Sequence, residues 1–70
     1  GKTEPLIEPL SAREQDVLRL LVTDLRTPDI AKELFVSVNT VRSHIKSLYR
    51  KLDAHSRHEA VAKAKELGLL

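Results

Sequence analysis

The 70-residue chain has no cysteine, methionine or tryptophan, and it contains one tyrosine, one phenylalanine and two glycines. Without cysteine, neither a disulfide nor a thiolate metal site can stabilise so small a fold. No apolar run approaches the roughly 20 residues that a membrane-spanning helix needs, so we expect no membrane partner. Paired carboxylates, a nucleophile beside a base and a glycine-rich phosphate loop are also missing, which argues against an enzyme.

Positive charge is concentrated in the middle of the chain. Residues 1–34 carry five Lys or Arg and seven Asp or Glu, a balance of −2, and residues 59–70 balance at zero. Residues 35–58 carry five cations against Asp53 alone, a balance of +4. One basic segment on a near-neutral body is the pattern expected of a nucleic-acid-binding surface. The alternative is a helix face that is merely solvated.

Helix-capping residues divide the chain into a linker, residues 1–10, and a single domain, residues 11–70. Two prolines disfavour helix within the linker. Ser11 and Glu14 form a capping box that begins helix 1. Asp24 is expected to end this helix in the left-handed conformation, which aspartate tolerates better than most residues.

Three further helices follow. Thr27 is expected to cap a short helix 2, which ends near Leu34. Ser37 caps helix 3, over residues 38–52, and Ser56 caps helix 4. No segment shows the two-residue alternation of a half-buried strand. The fold class is therefore all-α, a compact four-helix domain.

The connection between helices 2 and 3 indicates how they are arranged. Only residues 35–37 separate them, which forces a sharp angle instead of a long antiparallel hairpin. Ala31 is small where the two helices would cross. These features predict a helix-turn-helix without a wing, in which the second helix of the pair enters the major groove.

One side of helix 3 is polar and free of carboxylates. The apolar side chains of residues 38–52 share a single stripe, which is expected to face the core. The polar residues on the other side are Asn39, Ser43, Lys46, Ser47 and Arg50, with Thr40 and Arg42 on the flanks. Arginine and lysine can bind the edge of guanine, asparagine can pair with adenine, and hydroxyl groups suit phosphate oxygens. We therefore predict sequence-specific binding of double-stranded DNA, with the recognition helix, residues 38–52, in the major groove.

Two other uses of these residues are weaker. The same face could bind an acidic protein partner, but protein-binding hot spots favour Trp, Tyr and Arg, and Tyr49 lies on the apolar stripe. His44 and His55 are too far apart to share a helix face, and no cysteine supports a metal site. We expect no metal, no cofactor and no small-molecule ligand in this domain.

Several motifs occur in one order along the chain. They are LSARE at 10–14, VL at 17–18, DIAKEL at 29–34, SVNTVRSHI at 37–45, LYRKL at 48–52 and SR at 56–57. Their order and spacing together resemble the LuxR-type (GerE-like) helix-turn-helix DNA-binding domain, from Pro9 to Leu70. Arginine and serine stand at 42 and 43 where the family often has lysine and threonine, so the operator sequence cannot be carried over.

The resemblance implies a four-helix output domain of a transcription regulator, acting as a homodimer on DNA, often with the last helix at the dimer contact. By matching position it implies base or nearby phosphate contacts for Arg42, Ser43 and Lys46, and DNA-backbone contacts for Thr40 and Lys51. From their positions on a helical wheel and their charge, we also predict DNA contacts for Asn39, Ser47, Arg50 and Arg57.

The resemblance also bears on the protein's setting. The lead-in Leu6–Leu10 is similar to that of the large ATP-binding regulators of the family, which implies the C-terminal output module of a sensor protein. Such a regulator is expected in the bacterial cytoplasm, and at the nucleoid when it is bound to DNA.

Overall fold

Four α-helices form the domain in a computed structural model that describes residues 9–70. They are α1 (Ala12–Leu21), α2 (Thr27–Leu34), α3 (Val38–Leu52) and α4 (Arg57–Glu66). Residues 9–70 contain no strand, which confirms the all-α four-helix class. The first eight residues of the predicted linker lie outside the described residues. No helix in residues 9–70 combines the length and the apolar composition that crossing a membrane requires.

The predicted capping box begins α1. Ser11 Oγ accepts a hydrogen bond from the N–H of Glu14 at 3.2 Å, and Glu14 Oε1 accepts from the N–H of Ser11 at 2.8 Å. Leu10, placed in the linker by its sequence, is buried and belongs to the hydrophobic core. The packed unit therefore includes Leu10 as well as the helices.

Two expected helix boundaries are wrong. α1 ends at Leu21 with Val22 as its C-cap in the right-handed region, and Asp24 does not adopt positive φ. Arg26, not Thr27, is the N-cap of α2, and its side chain makes no capping hydrogen bond. The last carbonyls of α1 accept hydrogen bonds from Thr23 Oγ1 and from the guanidinium of Arg57. They are therefore satisfied without a residue in the left-handed region.

The expected starts and stops of α3 are confirmed. Ser37 is the N-cap, and its Oγ accepts from the N–H of Thr40 at 3.1 Å. Asp53 ends the helix in the left-handed region, with φ 53° and ψ 48°. The N-cap of α4 is Ser56, as predicted, and its Oγ accepts from the N–H of Glu59 at 3.1 Å.

The turn of the helix-turn-helix places a bulky residue in the left-handed region. Phe35 is the C-cap of α2, with φ 58° and ψ 41°, and its side chain is 93% exposed. This conformation costs most residues other than glycine, asparagine and aspartate about 1–2 kcal/mol. The exposed ring offsets none of that cost through packing.

We expect Phe35→Asn to raise the free energy of unfolding by about 1 kcal/mol, because asparagine tolerates the left-handed region and no buried contact is lost. Phe35→Ala is the matched control, since it removes the ring and keeps the strain. Urea denaturation of the three proteins measures the effect. Equal stabilities for the asparagine and alanine variants would show that backbone strain at this turn is negligible.

The core forms where α3 lies against α1, α2 and α4. Its largest fully buried side chains are Val17, Leu18, Ile30, Val41 and Leu48. The fully buried residues of α4 are both small, Ala60 and Ala64, so this helix approaches the core closely, and Val61 packs against the core with partial exposure. Since the apolar stripe of α3 faces this core, the opposite side of α3 is left uncovered.

Candidate nucleic-acid interface

The uncovered side of α3 carries a group of polar and cationic side chains that we call the basic face. Its members are Asn39, Arg42, Ser43, Lys46 and Arg50, and all five are exposed. On the reverse of the same helix, Val41, Leu48 and Leu52 are buried. Burial of one side therefore fixes which side of α3 meets solvent.

The size and charge of the basic face suit a DNA groove. From Asn39 to Arg50 it extends about 16 Å along the helix, at a rise of about 1.5 Å per residue. It carries three cations and no carboxylate. The major groove of B-DNA is about 12 Å wide and admits one α-helix. An uninterrupted cationic stripe would meet phosphates and base edges without like-charge repulsion.

The start of α3 lies at one end of the basic face. Ser37 Oγ and Thr40 Oγ1 are 2.9 Å apart, and Thr40 is half-buried. The hydroxyl of Thr40, for which a DNA-backbone contact is predicted, is thus already hydrogen-bonded to the N-cap residue. The first-turn N–H groups of a helix carry partial positive charge, which suits a phosphate oxygen.

The structure does not bring Lys51 to the basic face. Its Nζ lies 2.6 Å from Glu14 Oε1 and 3.2 Å from the carbonyl oxygen of Pro9, and its side chain is 12% exposed. Ser47, another predicted DNA contact, is half-buried, and its hydroxyl lies close enough to the same Glu14 carboxylate to lower that group's pKa. Both side chains lie on the flank of α3 that faces α1, so in this structure they are directed toward intramolecular partners, and their DNA contacts stay predictions.

Arg57 is also directed into the molecule. From the first turn of α4 its Nε donates to the carbonyl of Leu21 at 2.9 Å, and its Nη2 donates to the carbonyl of Thr23 at 2.5 Å. It thereby binds the last carbonyls of α1, where the helix dipole is negative. Wheel position and charge predicted that Arg57 binds DNA; in the structure its guanidinium binds backbone carbonyls, and a DNA contact stays a prediction.

Glu14 has a second role beyond the capping box. Burial alone would raise the pKa of this carboxyl, but hydrogen bonds from Lys51, the N–H of Ser11 and Ser47 outweigh burial and lower it from 4.5 to about 2. The residue is 3% exposed, and it occupies the buried stripe of α1 with Val17, Leu18 and Leu21. A carboxylate on an apolar stripe was the signal in the sequence that could have indicated a buried partner.

Tyr49 packs against the core, as its place on the apolar stripe predicts. Burial raises the pKa of its phenol, and the nearby Arg57 opposes this effect. The ring therefore supports α3 from behind and is not available to the basic face.

A short α2–α3 connection together with an outward, carboxylate-free α3 defines the class of helix-turn-helix DNA-binding domains. The chain belongs to the bacterial regulatory proteins of the luxR family, whose GerE model matches residues 8–64. Its relatives are transcriptional regulators with a DNA-binding helix-turn-helix domain, and the acidic-protein alternative is not favoured.

The relatives differ in how much of their length the chain matches. It is 44% identical over 61 residues to the spore germination protein GerE of Bacillus subtilis, covering 87% of the chain and 82% of GerE. It is 41% identical over 69 residues to the probable transcriptional regulatory protein NarL of Mycobacterium tuberculosis, covering 99% of the chain and 32% of NarL. YvfU and YxjL of Bacillus subtilis are likewise covered over only 30% and 31% of their length.

Solved structures with the same fold include two that are larger than this chain. The response regulator ChrA of a heme-sensing two-component system matches with a TM-score of 0.87 and 34% identity, covering 96% of the chain and 33% of ChrA. The VqmA dimer of Vibrio cholerae, described as a LuxR-type receptor with a target DNA, matches with a TM-score of 0.82 and 31% identity, covering 87% of the chain and 28% of VqmA.

Proposed function

We propose that this domain binds double-stranded DNA sequence-specifically, with α3 in the major groove and the basic face toward the bases. The observation that carries the proposal is the division of α3 into a buried apolar stripe and an exposed side without carboxylates. The family supports it, because its members are regulators of transcription.

The members of the basic face have different roles in this proposal. Arg42 and Lys46 lie one turn apart near the middle of the face, where they can bind guanine O6 and N7 or adjacent phosphates. Ser43 and Asn39 offer hydrogen bonds to bases or phosphates. The start of α3 at Ser37 supplies backbone N–H groups for a phosphate.

The domain acts on its operator as a homodimer, with the outer side of α4 as the contact. A shallow cavity of about 370 Å³ between α1 and α4 is lined by Leu21, Val22, Arg57, His58 and Val61. Val22 is 49% exposed. Ala62 is exposed on α4, where a small residue lets a second backbone approach. The dimer described for VqmA supports this assembly.

Ala62→Glu is expected to weaken dimer formation on DNA, because two carboxylates would meet across a two-fold axis. Ala12→Glu, at an exposed position at the other end of α1, is the matched control. Sedimentation with a duplex carrying two half-sites measures the stoichiometry. If both variants bind two copies as the unchanged protein does, the contact lies elsewhere.

Selection from random duplex DNA at about 0.15 M salt tests the proposed function. We expect a two-fold symmetric consensus, and an affinity that falls with salt according to the number of neutralised phosphates. No enrichment after selection would contradict sequence-specific binding. Capture of an acidic protein that depends on Arg42 and survives nuclease treatment would favour the protein-interaction alternative.

Other features of the complete regulator remain predictions. A large ATP-binding sensor upstream, a cytoplasmic location and association with the nucleoid rest on the family resemblance alone. Residues 6–8, part of the lead-in on which the sensor type depends, lie outside the described residues.

A further inference from the structure

Three chain segments meet at the carboxylate of Glu14. Its Oε1 accepts from the N–H of Ser11 at 2.8 Å and from Lys51 Nζ at 2.6 Å. The half-buried Ser47 lies near the same group. Lys51 Nζ also donates to the carbonyl of Pro9 at 3.2 Å. The start of α1, the lead-in and the recognition helix are thereby joined at one buried point.

The ion pair between Glu14 and Lys51 lies where it opposes rotation of α3 about its own axis. Ser47 and Lys51 are four residues apart and lie on one flank of α3, about 40° from each other. Lys46 lies about 100° from Ser47 and Ser43 about 40°, so the flank held by Glu14 adjoins the basic face. A roll of about 20° would move side-chain tips at a radius of about 6 Å by about 2 Å. Hydrogen bonds to base edges tolerate only about 0.5 Å.

A buried ion pair is a poor device for stability alone. Two well-packed apolar residues of similar volume often stabilise a fold as much or more, whereas an ion pair demands one geometry. Within residues 9–70 no buried side-chain nitrogen or oxygen lacks a hydrogen-bond partner, so the demands of this pair are fully met. The arrangement suits a requirement for orientation.

We infer that Glu14 is a positioning residue for DNA recognition, which holds α3 at one roll angle through its buried ion pair with Lys51. The inference rests on the proposed function, since it concerns how the basic face meets base edges. Glu14 itself does not contact DNA in this arrangement. It acts on sequence discrimination and leaves general attraction to phosphates unchanged.

Glu14→Gln tests the inference through effects of opposite sign. Glutamine keeps the capping box, removes a negative charge and loses the ion pair with Lys51. For a duplex selected by the unchanged domain we expect about tenfold weaker binding, comparable to the loss of one base contact. For a scrambled duplex of equal length we expect unchanged or tighter binding, because net positive charge increases. Asp16→Asn is the matched control, with the same charge change on α1, and it should not weaken either duplex.

Lys51→Met separates positioning from direct contact with phosphate. A positioning role predicts an unchanged slope of log affinity against log salt, whereas loss of one phosphate contact lowers the slope by about 0.9. Where Glu14→Gln does not fold, as judged by far-ultraviolet circular dichroism, the charge-neutral double variant Glu14→Gln/Lys51→Met replaces it. We expect that variant to bind the selected duplex about tenfold more weakly and to bind the scrambled duplex with unchanged affinity.

Three results would overturn the inference. The first is that Glu14→Gln, or the double variant used in its place, binds the selected duplex as tightly as the unchanged domain. The second is an equal loss of affinity for the selected and the scrambled duplex. The third is a lowered slope of log affinity against log salt for Lys51→Met. Failure of the unchanged domain to bind any duplex would instead refute the proposed function, and the inference with it.

Discussion

Alanine at both Arg42 and Lys46 is expected to weaken binding of the selected duplex by roughly 2–6 kcal/mol, because each contact to a base is worth about 1–3 kcal/mol. Both side chains are exposed on the basic face, so their removal leaves the core intact. Single variants should also shift the base preference at one position each. Titration of labelled duplexes at fixed salt measures the affinities, and repeated selection measures the preference.

Arg13→Ala/Arg19→Ala provides the comparison for this experiment. This double variant also removes two positive charges, but it removes them from α1, where both arginines pair with Asp16 on an exposed helix surface. We expect a much smaller loss, confined to long-range attraction. If the two double variants weakened binding equally, net charge would explain the affinity, and α3 would have no privileged role.

Acid is expected to destabilise the domain through Glu14. In the unfolded chain this carboxyl titrates near 4.5, and in the folded domain hydrogen bonds hold its pKa at about 2. The ionised form therefore stabilises the fold fully above pH 4.5, and the contribution disappears as the pH falls through 2. The shift corresponds to about 3 kcal/mol. For a domain whose total stability is on the order of 4–10 kcal/mol, this is a large fraction.

Urea denaturation between pH 5 and pH 2 measures this dependence. The Glu14→Gln/Lys51→Met variant lacks the titrating group and the ammonium that would be left unpaired, while the other carboxyl groups of the chain still titrate. We expect its stability to fall by about 3 kcal/mol less than that of the unchanged domain over this range. Parallel curves for the two proteins would mean that Glu14 is not specially stabilised in its ionised form.

These two experiments address different parts of one helix. The first removes side chains that meet solvent on α3, and the second removes the ion pair that holds the flank of α3 against α1. Loss of DNA binding with normal stability would identify a contact residue. Loss of discrimination between the selected and the scrambled duplex in a variant that is still folded would identify a positioning residue. A combined set of variants therefore separates what α3 touches from what holds it.

The sequence did not predict the intramolecular partners of Lys51 and Arg57. Lys51 was assigned to DNA by its matching position in the family, and Arg57 by helical-wheel position and charge, yet each binds a group more than 30 residues away along the chain. Charge and wheel position cannot distinguish a cation that meets solvent from one that meets a buried carboxylate or a helix C-terminus. Glu14, on the apolar stripe of α1, carried the only local hint of such a partner.

The sequence by itself determined the helix starts at Ser11, Ser37 and Ser56 and the division of α3 into apolar and polar sides. Capping hydrogen bonds join residues three apart, and the side chains of a helix repeat every 3.6 residues. The helix starts and the two sides of α3 therefore depend only on residues that are close together in the sequence. Only the tertiary structure decided how α1 ends and which cations of the basic segment face outward. Those outcomes depend on contacts between segments that folding brings together, and local periodicity carries no information about them.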